Sequence, residues 1–313
     1  MRNKLAIVIP AFKSQFFKET LKSISSQTNK DFCLYIGDDN SPEDLYSIIN
    51  EFVPDLKVVY QKFTNNLGGE NLVKHWNRCL EMVNDEEWIW LFSDDDLMDS
   101  NCVQNFYDTI KNLNNVHFDV FRFNINVIDN NNIVIGNRVI FPDVLKVEEF
   151  IYKKSSGKIK SYIVEYIFRK EKFNVYDGFV EFPIAWHSDE ATVIKFALKS
   201  GIKTIKNSCV SWRSSSFNLT PNSKDLKIVV QKIDASLLFV RWLIQIVKTN
   251  NLILKPFTVF WLAKRFTYEL SLYKAVIDIQ EINIKLKEYL KVINYNLFYP
   301  FFRILFNKYN NNR

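Results

Sequence analysis

The chain has 313 residues, 47% hydrophobic and 24% charged, with only 7 glycines and 8 prolines. That balance is globular, fits one large domain or a domain plus an appendage, and excludes long disordered linkers. The net charge is +6, but from Arg241 onward twelve Lys and Arg face four Asp and Glu, a local +8. Such a tail attracts nucleic acid, anionic lipid or an anionic glycan, or it is simply a solvated helical face.

In chain order, Leu5–Ile9 is a continuous apolar run and reads as a strand. Gln15–Gln27 carries helical spacing at Phe16, Phe17, Leu21 and Ile24. Phe32–Gly37 follows as a second strand, Glu43–Phe52 as a helix with Ser41 and Pro42 as cap and first turn, and Lys57–Tyr60 as a third strand. Gly69–Val83 is a helix with Leu72, Trp76, Leu80 and Val83 on one face, and Trp88–Phe92 is a fourth strand before a helix at Asn101–Ile110. Alternating strands and helices with continuously apolar strands predict a parallel sheet covered on both faces.

Past residue 115 the expected strands are Asp119–Asn124, Ile133–Ile140 and Ser161–Arg169, the last two antiparallel. Ser188–Ser200 reads as a helix closed by Gly201, followed by short strands at Ile202–Ile205 and Cys209–Trp212. From about Lys224 the chain reads as helices rich in aromatic and basic residues. Ala235–Val247 is the most apolar stretch, but Arg241 interrupts it and no run reaches the roughly 18 residues of a membrane span. Cys33, Cys79, Cys102 and Cys209 form no C-x-x-C pair, and Met1–Lys4 runs straight into the first strand. Unpaired thiols in a cytosolic protein without a leader are therefore expected.

Parallel sheets of this kind bind ligands beyond the carboxyl ends of their strands. The ends here are Pro10-Ala11-Phe12, Asp38-Asp39-Asn40-Ser41 and Ser93-Asp94-Asp95-Asp96, so two acidic clusters are expected at one edge. Three adjacent carboxylates repel one another, and a divalent cation removes that cost; Mg2+ and Mn2+ take oxygen ligands and commonly bind one or two carboxylates plus phosphate. The other reading of Asp94–Asp96 is a set of acids favouring the dipole of the next helix. Asp38 and Asp39 are expected to be open to a ligand's base N–H or ribose hydroxyls. No phosphate-binding P-loop, no G-x-G-x-x-G, no G-x-S-x-G elbow and no zinc spacing are present.

In order, the segments IVIPAF, YIGDDNSPED, NNLGGENLVKHWNRCLE, WIWLFSDDD, WHSDEATVIKFALKSG and SWRSS resemble the family 2 glycosyltransferases over about residues 4–216. The resemblance implies the GT-A fold: a Rossmann-like, mixed and mostly parallel sheet with helices on both faces. Residues 1–222 form that domain, and 223–313 a basic, aromatic-rich helical region. It also implies transfer of a sugar from a nucleotide-diphosphate sugar, first of all a UDP-sugar, to a saccharide or lipid-linked saccharide hydroxyl in bacterial surface polysaccharide assembly. Mn2+ or Mg2+ is the implied cofactor, and nucleic acid is not an expected partner.

Carried over position by position, Pro10 and Ala11 meet the nucleotide, Asp39 reads the base with Asp38 in support, and Asn66, Gly68 and Asn71 border the donor. The family's Asp-x-Asp-Asp is here Ser93-Asp94-Asp95-Asp96, which makes Asp95 the first metal ligand, Asp94 or Asp96 the second, and leaves an aspartate of the triplet for the ribose. Asp189 matches the general base that takes the acceptor's proton in an inverting attack, or is a first-turn helix acid; Glu190 is the substitute base. His187 either donates to the diphosphate or packs, Arg213 either faces phosphate or solvent, and Trp186 and Trp212 either stack on a sugar or belong to the core. The C-terminal helices pack on the domain, form a homodimer, or rest peripherally on the inner face of the cytoplasmic membrane. Two rival functions remain: a sugar-phosphate nucleotidyltransferase, although Pro10–Ser14 lacks the Gly-rich loop that chemistry uses, and a non-catalytic nucleotide-sugar-binding protein.

Overall fold

A computed structural model describes residues 4–113, 116–215 and 223–311 of the chain. In order, the elements are β1 (Leu5–Ala11), α1 (Phe17–Ser25), β2 (Phe32–Asp38), α2 (Leu45–Asn50), β3 (Val58–Lys62), α3 (Leu72–Leu80), β4 (Trp88–Leu91), β5 (Leu97–Met98) and α4 (Cys102–Lys111). Then come β6 (Val120–Ile128), β7 (Val144–Leu145), α5 (Val147–Ser155), β8 (Tyr166–Arg169), α6 (Lys170–Tyr176), α7 (Ser188–Ala197) and β9 (Ile202–Arg213). Four helices follow: α8 (Leu226–Thr249), α9 (Thr258–Leu272), α10 (Ile279–Val292) and α11 (Tyr299–Asn311).

The described chain forms two compact units. The first takes in the residues up to Lys146, Ser161–Glu181 and Phe196–Ser215; the second takes in Val147–Lys160, Phe182–Lys195 and the helices from α8 on. The expected boundary after residue 222 falls at the edge of a stretch outside the described residues. Within residues 1–222, expected to form the first domain, α5 and the start of α7 belong to the helical unit.

The first unit holds one mixed sheet in the order β3-β2-β1-β4-β8-β6-β9-β5, with β7 beside β9. β1 pairs in parallel with β2 and β4, β2 with β3, and β6 with β9. β8 runs antiparallel between β4 and β6, so most of the paired length is parallel. The residues of β1, β2 and β4 are buried almost throughout, as expected when helices cover both faces. α1 meets the core through Phe17, Thr20, Leu21 and Ile24, one helical stripe.

Three expectations change. Ser41 does not cap the second helix: Asp44 does, accepting the Ser47 N–H at 3.1 Å, while Ser41 Oγ accepts the Glu43 N–H at 3.1 Å ahead of the helix and donates to the Phe12 carbonyl. Ile133–Ile140 is not a strand. Its backbone pairs with β6 at two isolated bridges, positive φ at Asn132 and Gly136 breaks its course, and Ile133, Val134, Ile135 and Ile140 are exposed. The two short strands near the end of this unit are one, β9, with a register shift and a left-handed Asn207 between its halves. Gly201 closes α7 as expected: its φ is +75°, and an added Cβ would lie 2.9 Å from the Leu145 carbonyl oxygen.

In the helical unit, α9 packs against α5, α10 and α11, and α8 against α10. α8 buries Val229, Ile233, Phe239, Val240 and Leu243 while Arg241 stays on its outer side, so the interrupted apolar stretch is a core helix. Among the described residues, no helix is long and apolar enough to cross a membrane, and all four cysteines are buried and unpaired.

Candidate active site

The carboxyl end of β1 is where the sequence places ligand chemistry, and the structure fixes it from both sides. On the β2 side, the Asp39 N–H donates to the Ala11 carbonyl at 2.9 Å and Ser41 Oγ to the Phe12 carbonyl at 2.6 Å. On the β4 side, Asp94 Oδ2 accepts the N–H groups of Phe12 and Lys13, each at 2.9 Å. Pro10 and Ala11 thus lead into a loop held between the two acidic clusters, the juxtaposition expected from the strand ends.

Asp38 and Asp39 are not open to a ligand in the way expected. Asp38 is fully buried and accepts the Ser41 N–H and the Tyr60 hydroxyl, both at 2.7 Å. Asp39 is 2% exposed; it accepts Leu67 N–H at 2.9 Å, Gly68 N–H at 2.8 Å and the Arg78 guanidinium. These bonds partly offset burial, which pushes the Asp39 carboxyl up. Gly68 is required for this approach, since a Cβ there would meet Asp39 Oδ2 at 2.6 Å. Asn66 accepts the Gly69 N–H at 2.7 Å, and Asn71 is the N-cap of α3 while donating to Glu181 at 2.6 Å. The residues expected to border the donor are the ones that shape this loop. Arg78 was missed from sequence, although His75 and Arg78 share a helical face at i,i+3, and Arg78 Nε donates to His75 Nδ1 at 3.0 Å.

The triplet after β4 divides its work. Asp96 is 1% exposed, accepts the Arg213 N–H at 2.6 Å through Oδ1, and receives the Ser93 hydroxyl at 2.5 Å through Oδ2. Asp94 holds the β1 loop. Asp95 is half-buried. Burial raises all three carboxyls. Asp95 reaches about 6, with the Asp94 charge adding to the effect of burial, and Asp96 is driven well above the ordinary range by burial and by Asp95.

Among the described residues, no three or more His, Cys, Asp or Glu side chains are grouped to hold an ion, so this is no all-protein cage. The donor set nonetheless fits a hard dication bound chiefly through substrate phosphate: a half-buried Asp95 carboxylate lies in a cluster whose negative charge is unfavourable without a cation. Asp96 is the poorer ligand, since both its oxygens are engaged by the fold.

Arg213 is neither solvated nor turned to a phosphate. It is fully buried, stacks over Phe16 at 4.1 Å, and donates to the Asp95 carbonyl at 2.7 Å, the Asp129 carbonyl at 3.0 Å and Glu19 at 3.1 Å. Trp212 stacks on Tyr162 with centroids 4.0 Å apart.

In the helical unit, Asp189 opens α7 with a half-buried carboxyl that burial pushes up, and its Oδ1 accepts the Glu190 N–H at 2.7 Å. Its neighbours are committed. Glu190 is clamped by Arg265 through two bonds of 3.0 and 2.9 Å. Burial alone would raise Glu190, but the Arg265 charge overrides it and holds the carboxyl well below the usual range. His187 stacks on Phe239 at 4.5 Å and meets Ser236 at 3.0 Å. Trp186 donates to Glu269 at 3.1 Å. Sequence carried no signal for Arg265.

Comparison with known proteins adds to this geometry. The "Glycosyl transferase family 2" profile matches residues 6–173, whereas no curated protein matches the sequence. In three dimensions the chain is similar to S. aureus TarS 1–349 in complex with UDP-GlcNAc, at 15% identity and a TM-score of 0.57, covering 94% of this chain and 89% of that one. It is also similar to the mannosyltransferase PcManGT of Pyrobaculum calidifontis in complex with GDP-Man and Mn2+, at 13% identity and a TM-score of 0.52, covering 99% and 87%. These likenesses carry the fold, which is the GT-A arrangement that the family resemblance implied.

Proposed function

This chain belongs to glycosyltransferase family 2, and on that footing we propose that it transfers a sugar, with inversion, from a nucleoside-diphosphate sugar to a saccharide hydroxyl. A UDP-sugar is the first donor to consider, and bacterial surface polysaccharide assembly the setting. The observation that supports this most strongly is the loop after β1, bound to Asp94 on one side and to Asp39 and Ser41 on the other, with the Asp95 carboxylate in the same cluster. Asp39, Gly68 and Arg78 shape the base end, with Asn66 and Asn71 anchoring their loop.

A bound Mn2+ or Mg2+ supplies positive charge against the diphosphate, and Asp95 is the residue proposed to hold it, with Asp94 and Asp96 as supports. Asp189 is the proposed base. Its carboxylate takes the acceptor hydroxyl proton as the oxygen attacks the anomeric carbon, and the bond to the diphosphate oxygen breaks with its electron pair leaving on the nucleoside diphosphate. A carboxyl raised by burial suits that role. Glu190 is unsuited to it, being paired with Arg265.

For the acceptor side, we propose a saccharide on a lipid carrier and peripheral attachment at the inner face of the cytoplasmic membrane. Around the start of α11, Leu297, Phe298, Phe301 and Ile304 are 87%, 53%, 49% and 69% exposed, with Arg303 and Lys308 exposed on the same helix. Apolar residues among cations suit an anionic interface. Sedimentation with anionic vesicles and release by salt support this; protein that stays in the supernatant at low salt removes it, and dimerisation through the same residues becomes the alternative.

The enzymatic proposal is tested by incubating the protein with Mn2+ and UDP-, GDP- and dTDP-sugars and measuring nucleoside diphosphate. Pyrophosphate formed from an NTP instead indicates a nucleotidyltransferase, and donor binding without release a binding protein.

A further inference from the structure

The backbone leading into Asp189 is held in an unusual shape. Ile184, Ala185 and His187 all adopt left-handed φ, at 48°, 58° and 68°, a region that side chains avoid and that a β-branched residue such as Ile almost never occupies. Such strain persists only where the surroundings impose it, and here α8 and α9 do so. Trp186 donates to Glu269 at 3.1 Å, and Ser236 donates to the same carboxylate at 2.9 Å while meeting His187 at 3.0 Å. Arg265 closes the set from α9 with its two bonds to Glu190 and a contact of 3.2 Å to His187 Nδ1. The residues immediately around Asp189 are thus fixed by charged and polar groups from helices far away in the chain.

Glu190 is buried and Arg265 partly so; ion pairs taken out of water in this way are a poor source of stability compared with apolar packing, and their better-attested use is to specify one arrangement. We propose that Arg265 is a positioning residue for the reaction: by clamping Glu190 and His187 it sets the direction of the Asp189 carboxylate and neutralises the charge beside it. The inference rests on Asp189 being the base. The groups that bear on Asp189 are Lys154 of α5, Glu190 and His187, and those that bear on Arg265 are Glu190, Glu269 and Tyr289. Without Arg265, an uncompensated Glu190 carboxylate would stand next to the base and make its deprotonated form less favourable.

The test compares Arg265→Lys, Arg265→Met and the pair Arg265→Met with Glu190→Gln, each checked for a cooperative melt. Arg265→Lys keeps the charge and loses the two-pronged geometry, so kcat should fall roughly 10-fold, as small misplacements of a reacting group do, while nucleoside diphosphate affinity is unchanged. In Arg265→Met, the ascending limb of kcat against pH should also move to higher pH, and adding Glu190→Gln should return it toward wild type. A merely structural role would lower the melt without moving that limb. Folded variants with wild-type kcat and an unmoved limb overturn the inference. Asp189→Asn run alongside separates the two readings: if it transfers normally, the base assignment is wrong; if it is inactive while the Arg265 variants are normal, only the positioning role falls.

Discussion

Asp94 Oδ2 accepts the Lys13 N–H at 2.9 Å, a bond across 81 residues that ties the loop after β1 to the end of β4. The same oxygen holds Phe12, so one carboxylate orders two successive amides at the edge where the donor is proposed to lie. Hydrogen bonds to a charged group are worth about 1.5–3 kcal/mol each. Asp94→Ala should therefore lower unfolding stability by about 2–4 kcal/mol and weaken nucleoside diphosphate affinity at least ~10-fold. Urea melts and isothermal titration check both numbers, and a variant with wild-type affinity shows that the loop does not depend on this clamp.

Ser93 stands where the family pattern has an aspartate, and the structure explains the departure. Its hydroxyl donates to the buried Asp96 at 2.5 Å and accepts the Asp96 N–H at 3.1 Å. Ser93→Asp would replace a donor by a second carboxylate beside a buried one, and the two cannot both ionise cheaply. Destabilisation of about 3 kcal/mol is expected at pH 8, and less at pH 5, where one of the pair carries a proton. Equal losses at both pH values would show that the cost is not electrostatic.

His75 is buried beside Arg78, and burial, with the Arg78 charge adding, lowers its pKa to about 3 from an ordinary 6.5. The unfolded chain then binds the proton more readily than the folded one, so stability is full above pH 6.5 and falls as the pH drops toward 3. At pH 5 the loss from this group alone is about 2 kcal/mol. His75→Gln keeps a side-chain acceptor for Arg78 without titrating. It should show a correspondingly smaller drop between pH 7 and pH 5, and parallel stability curves for the two proteins would contradict the assignment.

Asp189→Asn preserves shape at the start of α7 and removes the proposed base. Transfer should fall at least ~10²-fold, with donor affinity retained because the proposed donor residues lie on other elements. Single-turnover transfer measured with saturating donor distinguishes the two, and loss of donor binding in this variant would place Asp189 in a different role.

Legibility from sequence followed the range of the interactions. β1, β2 and β4 announced themselves as uninterrupted apolar runs, and Gly201 as the stop after α7, because those signals lie within a few residues. The acidic strand ends were equally plain as positions. Their bonding was not: Asp96 meets the Arg213 N–H across 117 residues and Glu190 meets Arg265 across 75, and the Arg213 guanidinium, read as facing phosphate or solvent, is engaged by the Asp95 and Asp129 carbonyls and by Glu19. Ile133–Ile140 misled for the opposite reason, since its β-branched residues look like a strand but the backbone turns at Asn132 and Gly136.

The most direct measurement is nucleoside diphosphate release from the donor panel, with and without Mn2+, by the wild-type protein and by Asp95→Ala. The proposed metal-supported transfer predicts release from one donor, abolished by chelation, with the Mn2+ requirement of Asp95→Ala raised at least ~10-fold, as expected when a carboxylate ligand is lost from a site otherwise completed by phosphate. Release that is indifferent to chelator and unchanged in Asp95→Ala would contradict it.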